Sequence, residues 1–466
     1  MNEETVSTHQ KALQINIDAR KYGTFAEIGA GQETARWFFR VGGASGTVAK
    51  TISAYDMSVS DAIYGTADRY VSRQRLQAML DYEWMLLLER LEKSRGDKST
   101  FFVFANTVAA RSFSRQKDGE GWLGVRFQAE SHGAPSEIIV HVRLLDGEPV
   151  REQESLGIIG VNLIHGAFYS HADPAALIAS LMNDLAPTRI DVDMIKFSGP
   201  CFAKVDNRLM ALQLVEQRLT EAAMFTAAGE AIIPSEVLYK KPVLVERGSF
   251  RPITNVTLDL LERALEQFQR EPQLQGEQPV VLMEMTLRQL LVEEKMDHAD
   301  FLDRVDTLSA LGKPVLISSF RRYHKLVEYL SRHTQKMIGL PLGVTRLGDV
   351  FDEKFYTDLP GGLLESLGTL FKNSAKLYVY PALDRETGEL ITVENLQLPQ
   401  NQRHLYQHLR ENHFIEAIEK FSRGCLAIYS QDVLDKIKAR DASWEGCVPS
   451  PIVEVIKNKK LFGYRS

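Results

Sequence analysis

Apolar positions along this 466-residue chain follow two periodicities that alternate from one segment to the next. Short apolar runs bounded by turn formers predict buried strands at 101–105, 122–127, 138–143, 190–197 and 223–226, then at 243–245, 280–283, 315–317, 337–340 and 377–380. Between them, Leu76, Met79, Leu80, Leu86, Leu87 and Leu91 share one face of a helix predicted over 73–95, and a second helix is predicted over 207–219. The runs 122–127 and 138–143 flank a polar Gly/Pro loop and predict antiparallel neighbours. In the second half, strand–helix–strand spacing predicts a parallel sheet with crossover helices. The fold class expected is therefore α/β in two lobes. A mixed α/β domain covers 1–240, and a Rossmann-like, doubly wound, mostly parallel sheet covers 241–466, with the boundary near Lys240-Lys241. No internal repeat or low-complexity segment is evident.

The stretch from Val243 to Phe268 carries the most chemistry. It reads as a strand, a Gly248-Ser249 turn, a loop stiffened by Pro252 and an amphipathic helix. Leu258, Leu261, Leu265 and Phe268 face one way, while Asp259, Glu262, Arg263 and Glu266 lie mostly on the other side. Gly248 permits a sharp turn, Pro252 fixes its own backbone, and Thr254 or Asn255 supplies a helix cap. Amides and dipole at the start of such a helix, above a strand's carboxyl end, favour an anion, typically phosphate. The same strand, turn and capped helix also occur where nothing binds.

Gly248-Ser249-Phe250-Arg251-Pro252-Ile253-Thr254-Asn255, with the amphipathic helix after it, resembles the opening motif of the nicotinamide/nicotinate mononucleotide adenylyltransferases. In that family the loop surrounds the triphosphate of ATP. The resemblance implies nucleotide contacts from Gly248, Ser249, Phe250, Thr254 and Asn255, and transfer of an adenylyl group from Mg2+-ATP to a phosphate-bearing acceptor. Three residues after the threonine the family carries a histidine that stabilises charge on the attacked phosphate; this chain has Thr257. Loss of one such group costs about 3 kcal/mol of transition-state stabilisation. Arg251 is the cation placed to compensate, so Arg251 and Thr257 are the candidate catalytic positions. The family's second signature, Ile-Ser-Ser-Thr-x-x-Arg, is matched in part by Ile317-Ser318-Ser319-Phe320-Arg321-Arg322. Phe320 replaces the threonine, the arginine falls one place early, and the motif comes about seventy residues after the first. Ser318, Ser319 and Arg322 form the expected second phosphate clamp. Two functions are implied: adenylyl transfer, or a non-catalytic assembly or regulatory role that keeps the fold without the chemistry.

Most of the chain is also similar to a family of bacterial cytoplasmic proteins whose members carry names such as nicotinate-nucleotide adenylyltransferase or TonB-dependent receptor. The second name conflicts with the sequence, which shows neither the many alternating strands of about ten residues that a barrel needs nor an export signal.

Composition narrows the partners. Hydrophobic and charged contents of 44% and 25% suit a soluble globular protein. Cys201, Cys425 and Cys447 supply no disulfide framework, which points to a reducing cytoplasm. The opening Met1-Asn2-Glu3-Glu4 lacks the pattern of an export signal, and no run of about 18 apolar residues predicts a membrane span. A net charge of -6 disfavours nucleic acid, and the pairs Arg321-Arg322 and Lys459-Lys460 read as solvated surface. The expected ligand is a nucleotide or other phosphate-bearing small molecule, with ATP and Mg2+ as cofactors and a homo-oligomer or protein partner in the regulatory alternative. No resident metal site is expected. His404 and His408 share a helix face, but Arg403 and Arg410 repel a cation. Gly29-Ala30-Gly31 and Gly42-Gly43 complete neither a dinucleotide fingerprint nor a phosphate loop. Asp191 and Asp193 alternate on a strand and are placed on one sheet face, where they hold magnesium or lie at a solvated edge. His165, His171 and Cys201 read as core or loop residues.

Overall fold

The computed structural model describes residues 6–29, 32–111, 118–292 and 294–465. The chain divides into two compact units, Met1–Glu221 and Ala222–Ser466.

The first unit is built on a six-stranded sheet. Its strands are β1 (Lys21–Gly29), β2 (Val48–Ile52), β3 (Thr100–Ala109), β4 (Gly119–Phe127), β5 (Ser136–Leu144) and β6 (Ile190–Ser198), in the order β2-β1-β3-β4-β5-β6. β2 and β3 flank β1 in parallel, and β3 to β6 run antiparallel as a meander. The expected antiparallel pairing of 122–127 with 138–143 is therefore present. Among the helices are α1 (Glu33–Arg40), α2 (Arg73–Arg95) and α3 (Pro149–Tyr169). Apolar on nearly every side, α3 is largely buried. Gly160 lets it approach α1, since a Cβ there would come 2.2 Å from Thr34 Oγ1. Residues 1–4, and Ala30 and Gly31 of the first glycine turn, lie outside the described residues.

The second unit carries an eight-stranded sheet of β7 (Ala222–Phe225), β8 (Ala231–Ile232), β9 (Val243–Arg247), β10 (Val280–Thr286), β11 (Val315–Ser318), β12 (Ile338–Gly343), β13 (Ala375–Tyr380) and β14 (Ile415–Ala417). Their order is β14-β13-β12-β9-β10-β11-β7-β8. All pairs from β14 to β11 are parallel. The chain steps outward from β9 through β10 to β11, then returns to the other side of β9 with β12 and continues outward again. This is the doubly wound, Rossmann-like arrangement the spacing predicted, with its switch point between β9 and β12. The division falls at 221/222, not near 240, because β7 pairs antiparallel with β11 and so belongs to the second sheet.

Four helices follow the carboxyl ends of the central strands in sequence: α4 (Asn255–Phe268), α5 (His298–Ser309), α6 (Tyr323–Ser331) and α7 (Val344–Phe351). Leu326, Val327 and Leu330 of α6 and Leu347 and Val350 of α7 pack with Val243, Val245, Leu282 and Leu340 in one apolar core. On the other face, Phe268 of α4 lies edge-on to Tyr378 and covers Gly339. The central parallel strands are thus covered on both faces, which is why they read as largely hydrophobic runs.

Candidate functional site

The turn after β9 is closed by its own side chains. Phe250 adopts φ +47° and is buried. Its ring lies over Gly248, where a Cβ would come within 2.7 Å of the ring. Glycine is required here by that close approach; the left-handed backbone angle belongs to Phe250. The Arg251-Pro252 peptide is cis. Arg251 Nε donates to Asp300 Oδ1 on α5 at 2.5 Å. The same carboxylate accepts Arg304 Nε at 2.6 Å, and Arg304 Nη1 donates to the Ser249 carbonyl at 3.1 Å. Arg251, expected to stabilise a phosphate, is therefore neutralised inside the fold.

The start of α4 is likewise occupied. Thr254 is the N-cap, its N–H donates to Thr257 Oγ1 at 3.4 Å, and the two hydroxyls are 3.2 Å apart. Thr257, in the slot where the resembling family has histidine, completes this cap. Asn255 Nδ2 donates to the Gly446 carbonyl at 3.0 Å, and Ser422 N–H donates to Asp259 on α4 at 2.8 Å. A segment far along the chain thus lies against the helix end expected to receive phosphate.

The second expected cluster sits one strand over. Glu284 on β10 is fully buried. It accepts Arg247 Nε and Nη2 at 2.7 and 2.8 Å and the Ser318 hydroxyl at 2.6 Å. Ser318 is thus a buried donor to a carboxylate, not a free phosphate contact. Ser319 is exposed. Arg322 pairs with Asp358 at 2.6 and 3.2 Å and lies 5.5 Å from the Tyr356 ring centre. Burial opposes the Arg247 charge, but the Glu284 carboxylate outweighs it and lifts the Arg247 pKa.

Beside this network a cavity of about 770 Å³ opens at the carboxyl ends of β9, β10 and β11 and against α7. Arg247, Arg288, Arg321, Arg322, Arg346 and Lys354 line it, with Asp349 the one lining carboxylate among the described residues. Arg346 pairs with Asp349 and Lys354 with Asp352. Arg288 and Arg321 are exposed and make no ion pair with any described residue. Tyr323 and Tyr356 form aromatic walls, with the Arg247 guanidinium 4.6 Å from the Tyr323 ring centre. α6 begins at this wall with no side-chain cap on its first turn. Of the sequence-derived candidates only Arg322 lines the cavity; Gly248, Ser249, Phe250, Arg251, Thr254, Asn255, Thr257, Ser318 and Ser319 do not. Arg321, read from sequence as solvated surface, does. The signal for Arg288, Arg321 and Arg346 is positional: each comes within three residues of the carboxyl end of a central parallel strand.

The paired aspartates of β6 have internal partners. Asp191 pairs with Arg143 at 3.2 Å and Asp193 with His141 at 2.6 Å, across a bulge between β5 and β6. Among the described residues no group of three or more His, Cys, Asp or Glu is placed to hold a metal ion. No described helix is long and apolar enough to cross a membrane.

The second unit is thus a Rossmann-like α/β unit with a cation-lined cavity at its carboxyl edge. No family model matches the sequence, and no curated protein matches it. Solved structures give partial likenesses. A competence/damage inducible protein of Agrobacterium tumefaciens is 17% identical with a TM-score of 0.25, over 34% of this chain and 93% of that one. A CinA superfamily protein of Klebsiella pneumoniae is 12% identical with a TM-score of 0.26, over 34% and 96%. Its Enterobacter cloacae counterpart is 13% identical with a TM-score of 0.26, over 36% and 95%. At these TM-scores the likeness assigns no activity to this chain.

Proposed function

We propose that the second unit binds a nucleotide or other phosphate-bearing small molecule in the 770 Å³ cavity, and that its role is binding without adenylyl transfer. The observation that carries this is the lining itself. Among the described residues six cations meet one carboxylate where ligands of open α/β sheets bind, and Arg288 and Arg321 pair with no described carboxylate. Arginine is suited to phosphate because its planar fork donates two parallel hydrogen bonds. A cavity of this size accommodates an organic ligand.

Three contacts weigh against transfer chemistry at the Gly248 turn. Arg251 is held by Asp300, Thr257 by the helix cap, and Asn255 by the Gly446 carbonyl. None is left to stabilise charge on a departing pyrophosphate. The test is a thermal-shift series with ATP, NAD and mononucleotides, run beside a pyrophosphate-release assay with Mg2+-ATP. Stabilisation without pyrophosphate release is expected. Absence of any shift overturns the binding reading, and release of pyrophosphate restores the enzyme.

A further inference from the structure

The charges around the cavity also constrain what enters it, an inference that rests on the binding reading above. Four of the six lining cations are matched one to one: Arg247 by Glu284, Arg322 by Asp358, Arg346 by Asp349 and Lys354 by Asp352. Among the described residues Arg288 and Arg321 are left over, one after β10 and one after β11. Two unmatched positive charges call for a ligand group carrying two negative ones.

A divalent cation does not fit this lining. Mg2+ at nucleotide sites is held by one or two carboxylates together with the phosphates. Among the described residues the one lining carboxylate, Asp349, is tied to Arg346 at 3.2 Å, and the remaining charged groups on the wall are cations. The apolar part of the wall, Val350, Phe355 and Tyr356, suits the organic body of an ester more than a second phosphate.

We propose that the cavity takes a phosphate monoester as a free dianion, with no divalent metal, and that Arg288 and Arg321 are the two groups that hold its phosphoryl oxygens. A phosphate monoester carries close to two negative charges at neutral pH.

The 466-residue chain is titrated calorimetrically with inorganic phosphate, adenosine 5′-monophosphate and ATP, each in EDTA and each with excess Mg2+. Binding of the monophosphate in EDTA is expected, with an affinity that Mg2+ leaves unchanged within about twofold. The double variant Arg288→Ala/Arg321→Ala is expected to lose about 100-fold in affinity, since each charge-assisted contact commonly contributes tenfold or more. Both side chains are exposed, so the double variant should melt within a few degrees of the parent. Binding that requires Mg2+, or Mg2+-ATP preferred tenfold over the monophosphate, overturns this inference and leaves the binding reading standing. Binding unaffected by the double variant overturns the assignment of the two arginines. No heat and no thermal shift with any probe overturns both readings together.

Discussion

Glu284 receives Arg247 through two parallel hydrogen bonds of 2.7 and 2.8 Å, and the two side chains are 0% and 7% exposed. The pair fixes the guanidinium plane over Tyr323 at the cavity wall. Removing one partner of a buried ion pair leaves the other charge unmatched, at a cost of about 3–5 kcal/mol. Glu284→Gln should lose that much stability in urea unfolding. Arg247→Met combined with Glu284→Met should lose less, because neither charge remains. Ser318→Ala removes a hydrogen bond to a carboxylate and should cost roughly 1.5–3 kcal/mol.

Glu246, on the neighbouring position of β9, behaves oppositely. It is buried, its Oε2 has no hydrogen-bond partner among the described residues, and burial pushes its pKa up to about 8. The folded state therefore holds a proton that the unfolded chain releases near pH 4.5. Stability is unaffected below pH 4.5 and falls as pH rises toward 8. At pH 7 the cost is on the order of 3 kcal/mol. Glu246→Gln should raise the melting temperature at pH 7–8 and leave it nearly unchanged at pH 4.5. An equal gain at both pH values would show that the side chain titrates as an ordinary carboxylate.

Thr257→His restores the residue type of the adenylyltransferase motif at a position used here as part of a cap. The variant should lose about 1 kcal/mol of stability with the cap. It should release no pyrophosphate from Mg2+-ATP above the parent's level, because Arg251 and Asn255 stay engaged.

Asp300 serves two arginines, and their exposures separate the consequences. Arg251 is 22% exposed, whereas Arg304 is 1% exposed. Asp300→Asn strands the buried Arg304 and should cost about 3–5 kcal/mol. Arg251→Ala should cost roughly 1 kcal/mol. Chemical denaturation of both variants measures the difference.

The strands were legible because each central one is buried on both faces and leaves an unbroken apolar run, as at 243–245 and 315–317. The helix 73–95 was legible from its spacing and ends where predicted. The cap at Thr254 was also readable, being a local interaction. What the linear order concealed is contact between distant residues. Nothing around Asn255 indicates Gly446, and nothing around Arg251 indicates Asp300. Arg288, Arg321 and Arg346 are ordinary surface cations singly, and only the return of the chain from β11 to β12 gathers them on one edge. The domain boundary was misplaced for the same reason, since β7 is claimed by a partner strand some ninety residues later.

The ring of Phe250 resting on Gly248 makes the two positions a size-matched couple. Enlarging residue 248 alone forces the aromatic side chain out of its seat, whereas a smaller residue at 250 vacates the room that a methyl group at 248 needs. Laboratory evolution of this loop should therefore recover Gly248→Ala chiefly together with a shrunken neighbour two places on.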